Sequence, residues 1–127
     1  MLAKGFVDIN GETRTIYTNM VNSQMLDFVD TCKTVPCVFQ EYIPKKVEIR
    51  ATVVGEQVFA AEIHSQNSQR TKHDWRRYDL DNTLHRAHEL PIEIQKACVG
   101  ITKHYRLEFG AIDLVLTPDG KYVFLEI

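Results

Sequence analysis

The sequence lacks long apolar runs, a basic excess and a signal-peptide pattern at its start. A membrane-spanning helix needs about 20 mostly apolar residues, and no run among these 127 residues approaches that length. The formal net charge of −2 argues against a general nucleic-acid binder, which normally carries clustered lysine and arginine. We therefore expect a cytoplasmic protein with neither a membrane nor a nucleic acid as partner.

Cysteine is scarce, with Cys32, Cys37 and Cys98 the only three. They form no CxxC pair and have no spacing typical of a metal site. An odd number of such cysteines is typical of buried free thiols in a reducing compartment. The hydrophobic fraction of 44% and the charged fraction of 25% are those of an ordinary globular chain, long enough for one domain or one lobe of a larger one.

Both ends of the sequence lack the polar residues that usually close a domain. "MLAKGFVDING" begins inside a strand-like stretch, and "YVFLEI" stops on an apolar residue. A strand cut at its end leaves backbone groups without ladder partners, so we expect a fragment of a longer protein. Such edges also tend to pair between chains, and this is the one indication of a homodimer.

Turn residues between apolar runs predict three β-hairpins. Asn10-Gly11 divides the first pair of runs, Gly55-Glu56 divides "KKVEIRATVV" from "QVFAAEIHS", and Asp119-Gly120 lies inside "FGAIDLVLTPDGKYVFLEI". The segment "CVFQEYI" is predicted to be a further short strand. Hairpins mixed with helices, rather than alternating βαβ units, indicate an α+β fold.

Two helices and one long loop complete the predicted structure. The first helix begins with Ser23 as its N-cap, and the second has Pro91 at its first position with Glu93 in the first turn. Between them, residues 66–91 are polar and aperiodic, and a loop of that length is usually functional or mobile. We expect His73 in this loop to be an ordinary exposed or satisfied histidine, with substrate contact or a general-base role as the alternative. Trp75 is expected to be a packing anchor. The second helix carries a predicted apolar stripe: Ile94, Ala97, Cys98, Ile101 and Tyr105.

The last hairpin carries one acid on each strand, Asp113 and Glu126. A two-residue type I′ loop would place these acids directly opposite each other, with side chains about 5 Å apart. A three-residue loop would place them on a diagonal, still within reach of a shared ion. The two-residue loop predicts four further pairs: Val115 with Phe124, Ile112 with Ile127, Leu114 with Leu125, and Leu116 with Val123.

Two interpretations of the paired acids stay open at this point. Like charges opposite each other in a sheet are unfavourable, and a divalent cation between them would remove the repulsion. Mg²⁺ is commonly held by one or two carboxylates together with phosphate oxygens. Alternatively, the two acids lie on a solvated face, and each is neutralised by a nearby lysine or arginine.

Alternation in "VEIRATV" places Glu48, Arg50 and Thr52 on one face of a strand. Glu48 has the chemistry to accept hydrogen bonds from ribose hydroxyls, and Arg50 has the chemistry to face a phosphate or an acyl phosphate. A cross-strand salt bridge on a wet face is the alternative.

The stretches "FQEYIPKKVEIRATVVG", "VFAAEIHSQ", "KHDWRRYDL" and "FGAIDLVLTPDGKYVFLEI" together resemble the central and C-terminal parts of an ATP-grasp ligase. Within that superfamily they are similar to the microviridin-type (graspetide) peptide maturases, relatives of the ribosomal-protein glutamate ligases. The likeness runs from about residue 5 to residue 127. It implies a partial ATP-grasp fold, an antiparallel sheet with packed helices, truncated at both ends. Residues 1–42 would form the end of the first lobe and the hinge, and residues 43–127 the C-terminal lobe.

The resemblance also implies a role for each candidate site residue. Glu48 matches the ribose-binding acid, and Asp113 and Glu126 match two residues that hold Mg²⁺ against the β- and γ-phosphates. Arg76 matches an arginine that steadies the phosphorylated carboxyl, and Arg50 is a second candidate for that anion. The hinge that holds adenine through its backbone matches four residues: Gln40, Glu41, Tyr42 and Ile43.

In the family, ATP phosphorylates a side-chain carboxyl of a ribosomally made precursor peptide, which has a leader and a core. A hydroxyl or an amine of the same peptide then closes an ester or amide ring. The implied cofactors are ATP and Mg²⁺. The rival interpretations are a ligase that adds amino acids to a protein and a non-catalytic binding module of ATP-grasp-like fold. Because the family's "NPNG" run and its strand lysine find no match here, we expect the fragment to be inactive alone.

Overall fold

The computed structural model describes residues 4–7, 13–18, 20–27, 30, 33, 38–77, 79 and 81–127. Two single 3₁₀ turns, Ser65–Asn67 and Trp75–Arg77, lie between the fourth and fifth strands. No helix in this described part of the chain is long and apolar enough to cross a bilayer. In chain order, the elements are β1 (Lys4–Val7), β2 (Thr13–Ile16), α1 (Ser23–Leu26), β3 (Val47–Val54), β4 (Gln57–Ile63), β5 (His85–His88), α2 (Ile92–His104), β6 (Phe109–Leu116) and β7 (Tyr122–Glu126).

Five strands form one antiparallel sheet in the order β5-β4-β3-β6-β7. Strands β1 and β2 form a separate two-stranded hairpin, in which Lys4 pairs with Ile16 and Val7 with Thr13. The predicted pairing of the first two runs is therefore confirmed, while its Asn10-Gly11 turn lies outside the described residues. The β3–β4 hairpin is also confirmed, and its turn contains Gly55 at a positive φ of 60°.

One face of the large sheet packs against α2 and forms the core. Strand β3 contributes every second residue to it, as its alternation predicts. Burial raises the pKa of the Cys98 thiol, which is free. Cys32 and Cys37 lie outside the described residues. The buried cluster consists of Val47, Ile49, Ala51, Val53, Leu90, Cys98, Ile112 and Leu114.

Helix α2 differs from its prediction in its first residue and in its buried face. Pro91 is the N-cap rather than the first helical residue, and the helix begins at Ile92. Of the predicted stripe, Ala97 and Tyr105 are exposed, so that part of the prediction was wrong. Cys98 is buried as predicted, and the other buried residue is Thr102, whose hydroxyl donates to the Cys98 carbonyl at 2.9 Å. Because this hydrogen bond satisfies the hydroxyl within the helix, Thr102 can occupy a buried position where an apolar residue was expected.

Three further predictions about local structure were wrong. The N-cap of α1 is Asn22, whose side-chain oxygen accepts from the Met25 backbone N–H at 3.0 Å, and Ser23 is the first helical residue. Residues 38–43 form no strand; they line a cavity instead. The loop 66–91 contains the strand β5, which pairs with β4 from His88 opposite Ala60 to His85 opposite Ile63. A polar edge strand shows no hydrophobic periodicity, so β5 could not be predicted from the sequence pattern.

The turn between β6 and β7 contains three residues rather than two. The Thr117 N–H donates to the Lys121 carbonyl at 2.9 Å, and the Gly120 N–H donates to the Thr117 carbonyl at 3.0 Å. Gly120 has a φ of 84°, as expected where a three-residue loop needs a left-handed position. Near the turn the strands are therefore shifted by one residue from the predicted pairing.

Because of this shift, most of the predicted residue pairs between β6 and β7 are wrong, whereas the two acids still lie opposite each other. Val115 lies opposite Val123 rather than Phe124, Leu114 lies opposite Phe124 rather than Leu125, and Leu116 lies opposite Tyr122 rather than Val123. Ile127, the predicted partner of Ile112, lies beyond the end of β7. The pairing changes again between Asp113 and Leu114, so that Leu125 is an extra residue in β7 and Asp113 lies opposite Glu126. The predicted pairing of the two acids is confirmed.

Candidate functional site

A cavity of about 380 Å³ lies against the sheet face that points away from α2. It is lined by residues between 18 and 21, by segment 38–43 with Lys45, by the loop around residues 73–76, and by the strands β3, β4, β6 and β7. Arg50 is the one candidate site residue outside the lining, although it contacts a residue of the lining. The other candidates all line the cavity: Gln40, Glu41, Tyr42, Ile43, Glu48, Arg76, Asp113 and Glu126.

The two paired acids each have a guanidinium neighbour. Nε of Arg50 lies 3.0 Å from Oδ1 of Asp113, and Nη1 of Arg76 lies 3.6 Å from Oε1 of Glu126. The side chain of Asp113 is only 13% exposed. Burial raises the pKa of Asp113, the charge of Glu126 raises it further, and Arg50 opposes both effects. The arginines thus offset part of the repulsion, as the second interpretation expected, although Asp113 does not lie on the solvated face that this interpretation assumed.

The donor set of this site fits Mg²⁺ shared with a phosphate rather than a metal held by protein alone. Among the described residues, no group of three or more His, Cys, Asp or Glu side chains could hold a metal ion. Asp113 and Glu126 supply two carboxylates, and Mg²⁺ is commonly bound by one or two carboxylates with phosphate oxygens completing its shell.

Glu48 is buried and leaves one of its two carboxylate oxygens unsatisfied. Oε1 accepts a hydrogen bond from Nζ of Lys45 at 2.7 Å, and both side chains are at most 10% exposed. Oε2 is buried and has no hydrogen-bond partner among the described residues. A buried acceptor without a donor costs about 1–3 kcal/mol. The partner of Glu48 is thus Lys45, which precedes β3 by two residues. The cross-strand salt bridge that was the alternative forms at Arg50 instead, with Asp113 on β6.

Asp74, which was not among the predicted site residues, binds the guanidinium of Arg76. Nε of Arg76 donates to Oδ1 of Asp74 at 2.8 Å, and Nη2 donates to Oδ2 at 3.3 Å. Burial alone would raise the pKa of Asp74, but the hydrogen bonds from Arg76 and from the Thr18 backbone N–H lower it. In the sequence, the spacing of this acid two residues before an arginine in "HDWRR" was the one indication that the two side chains could pair.

Aromatic side chains connect the loop to the sheet and to segment 38–43. The guanidinium carbon of Arg50 lies 5.7 Å from the centre of the Trp75 ring, within cation–π range. The Trp75 ring meets the His85 ring edge-on at 6.4 Å, and the Tyr42 ring meets the His73 ring in the same way at 6.3 Å. Trp75 therefore packs as expected, while His73, expected to be ordinary, lines the cavity.

No protein-family model matches the chain, and no curated protein matches it. Solved structures do match. One is a RiPP-associated ATP-grasp ligase of Chryseobacterium gregarium, solved in complex with ADP and with a leader and core peptide. It is 36% identical to this chain, and the match has a TM-score of 0.86 and covers 97% of this chain and 38% of that one. The chain has a partial ATP-grasp fold. RiPPs are ribosomally synthesised and post-translationally modified peptides.

A second ATP-grasp structure supports the same assignment. The macrocyclase MdnC of Microcystis aeruginosa, bound with precursor peptide MdnA, is 36% identical over 97% of this chain and 37% of its own, with a TM-score of 0.78. The ATP-grasp ligase PsnB, at 24% identity and a TM-score of 0.62, supports the fold alone. This ATP-grasp chain spans between 33% and 38% of the length of these relatives. The predicted resemblance and the predicted partial fold are confirmed.

Proposed function

We propose that this chain is the nucleotide- and metal-binding part of an ATP-dependent peptide ligase. The enzyme activates a side-chain carboxyl of a ribosomally made precursor peptide as an acyl phosphate and joins it to a hydroxyl or amine of the same peptide. The observation that carries the proposal is that segment 38–43, Glu48, Arg76 and the paired acids all line the same cavity. Relatives of the same fold are solved with ADP and with leader or precursor peptides, which supports the same class of ligands.

The nucleoside end of ATP would bind along segment 38–43. Backbone groups around Glu41 and Tyr42, flanked by Gln40 and Ile43, would hold the adenine. The unsatisfied Oε2 of Glu48 would accept a hydrogen bond from a ribose hydroxyl. A ligand hydroxyl there would remove the cost of an unpaired buried acceptor, which is why this atom supports the assignment.

The phosphates would lie at the other end of the cavity, beside β6 and β7. Asp113 and Glu126 would hold Mg²⁺, which when bound supplies positive charge to the β- and γ-phosphates. Arg76, with Arg50 as the second candidate, would stabilise the negative charge on the phosphorylated carboxyl. Phosphoryl transfer depends on such fixed positive charge more than on an acid–base pair, and this cavity edge offers two guanidinium groups beside two carboxylates.

The chain would belong to a larger cytoplasmic enzyme. We assign residues 1–42 to the end of the first lobe and the hinge, and residues 43–127 to the C-terminal lobe. Because the chain spans little more than a third of its relatives, we expect these 127 residues alone to bind nucleotide weakly and to close no ring. The partner is a precursor peptide with a leader and a core; a homodimer stays a prediction.

The experiment that tests the function is the intact mass of a candidate precursor peptide after incubation with the full-length enzyme, ATP and Mg²⁺. Loss of one or more waters is the expected result and means ring closure. A gain of amino-acid-sized mass would instead indicate a residue-adding ligase, and an unchanged peptide with intact ATP would indicate a binding module. Asp113→Asn should abolish the mass change, whereas the control Asp81→Asn, at an exposed acid, should preserve it.

A further inference from the structure

Four hydrogen bonds converge on the carboxylate of Asp74. Two come from the guanidinium of Arg76, and a third comes from the Arg76 backbone N–H to Oδ1 at 3.1 Å. The fourth comes from the backbone N–H of Thr18, 56 positions earlier, to Oδ2 at 3.0 Å. The Asp74 side chain is only 1% exposed. These four hydrogen bonds fix the carboxylate in position, because rotating or displacing it would break at least one charge-assisted hydrogen bond in the protein interior.

The orientation of Arg76 follows from these contacts. Asp74 engages Nε and Nη2, two of the three guanidinium nitrogens, in a fork-like geometry. The third nitrogen, Nη1, lies 3.6 Å from Oε1 of Glu126 at the cavity edge. The guanidinium group is planar and rigid, so a partner that holds two of its nitrogens also determines where the third one points.

We propose that Asp74 is a positioning residue for Arg76. It fixes the guanidinium so that Nη1 faces the place where the reacting carboxyl and the transferred phosphate meet, and it acts only through Arg76. This inference rests on the proposed function, in which Arg76 stabilises the phosphorylated carboxyl. It also assigns a role to Thr18, which follows β2 by two residues: its backbone N–H connects the first hairpin to the arginine through one side chain.

A double-mutant cycle in the full-length enzyme tests the inference. Asp74→Asn should lower kcat for peptide ring closure by about 10- to 100-fold, the range expected when a reacting group is misplaced by roughly 1 Å. The Kd for ATP should change less than twofold, and Asp74→Glu should restore part of kcat. In an Arg76→Ala background, Asp74→Asn should cause no further loss, because its effect passes through the arginine.

A second pair of variants separates the positioning role from an effect on folding. Thr18→Pro removes the N–H that donates to Asp74, whereas Thr18→Ala keeps it. We expect the proline variant to lose at least fivefold more kcat than the alanine variant, with the thermal midpoints of both reported alongside. Equal losses in the two variants would overturn the connection through Thr18.

The outcomes distinguish this inference from the proposed function. If Arg76→Ala lowers kcat while Asp74→Asn retains full kcat, the positioning role is wrong and the function of Arg76 stands. If Asp74→Asn lowers kcat by the same factor with and without Arg76, Asp74 does not act through the arginine. If Arg76→Ala retains full kcat, both the proposed role of Arg76 and the inference are wrong.

Discussion

Asp113 on β6 lies directly opposite Glu126 on β7, although the strands near their turn are shifted by one residue from the simplest pairing. The three-residue loop shifts the strands, and the extra residue Leu125 shifts them back before the acids. Bulges of this kind are over-represented beside active sites, where they redirect a side chain. Two like charges opposite each other lower the stability of the sheet, and the proposed role of both acids in holding Mg²⁺ explains why they lie there.

Asp113→Asn should raise the stability of the metal-free protein at pH 7. The pKa of Asp113 is raised in the folded state, mainly by burial, so the folded protein favours the proton. Its ionised form is therefore destabilising, and stability falls as the pH rises from the ordinary pKa through the raised one. The amide removes that cost. Thermal unfolding without Mg²⁺ checks this, with Asp81→Asn as the matched exposed control; a lower midpoint for Asp113→Asn alone would contradict it.

Glu48→Gln should reduce the preference of the enzyme for ribose hydroxyls. The amide oxygen can still accept from Lys45, while the atom replacing Oε2 becomes a donor. Binding of ATP, 2′-deoxy-ATP and 3′-deoxy-ATP to the full-length enzyme measures the effect. We expect loss of one hydroxyl to weaken binding by about tenfold in the unaltered enzyme, and by much less in Glu48→Gln. The same discrimination in both proteins would mean that Glu48 does not contact the ribose.

Two glycine substitutions should have opposite effects on stability. Gly120 has a φ of 84° in the β6–β7 turn, so Gly120→Ala should cost about 1–2 kcal/mol. Gly100 lies in α2 with nothing within 4 Å of an added Cβ, so Gly100→Ala should stabilise by about 0.5–1 kcal/mol. Chemical denaturation of the two variants measures both changes. Equal effects in the same direction would mean that the turn does not require a left-handed residue.

Glu62→Gln should make the free energy of unfolding fall less steeply as the pH is lowered. Nδ1 of His88 and Nε2 of His64 lie 3.0 and 2.8 Å from the Glu62 carboxylate, and His88 also contacts the Tyr122 hydroxyl at 2.9 Å. These hydrogen bonds lower the pKa of Glu62 below its ordinary value of 4.5.

The sign of the acid effect follows from that lowered pKa. The stabilisation is complete above pH 4.5 and is lost as the pH falls through the lowered pKa. The unfolding free energy, measured from pH 6 downward, should therefore fall less steeply in Glu62→Gln than in the unaltered chain. Parallel curves for the two proteins would mean that Glu62 titrates with its ordinary pKa in the folded state.

Local alternation was enough to predict the strands that build the site. The pattern of β3 predicted both its buried residues and the face that carries Glu48 and Arg50, because each strand residue simply alternates between two faces. The pairing of Asp113 with Glu126 was also predicted, although from a two-residue loop that the chain does not have. The loop type and the bulge cancel each other, and no local pattern reveals such a pair of compensating shifts.

Contacts between distant parts of the chain were not predictable in this way. Asp74 owes its position to Thr18, and neither residue belongs to a periodic pattern. Lys45 could be seen three residues before Glu48, but only burial makes that pair significant. Segment 38–43 has the composition of a strand, yet it lines the cavity instead, since strand formation depends on a neighbour to pair with.

The central claim is that a peptide carboxyl is activated as an acyl phosphate, and isotope transfer tests it most directly. A precursor peptide with ¹⁸O in its side-chain carboxyls would be incubated with the full-length enzyme, ATP and Mg²⁺, and the released phosphate analysed by mass spectrometry. Because a carboxyl oxygen attacks the γ-phosphorus and later leaves with it, we predict one ¹⁸O atom in inorganic phosphate for each ring closed. Label in AMP, or ring closure with unlabelled phosphate, would contradict the account.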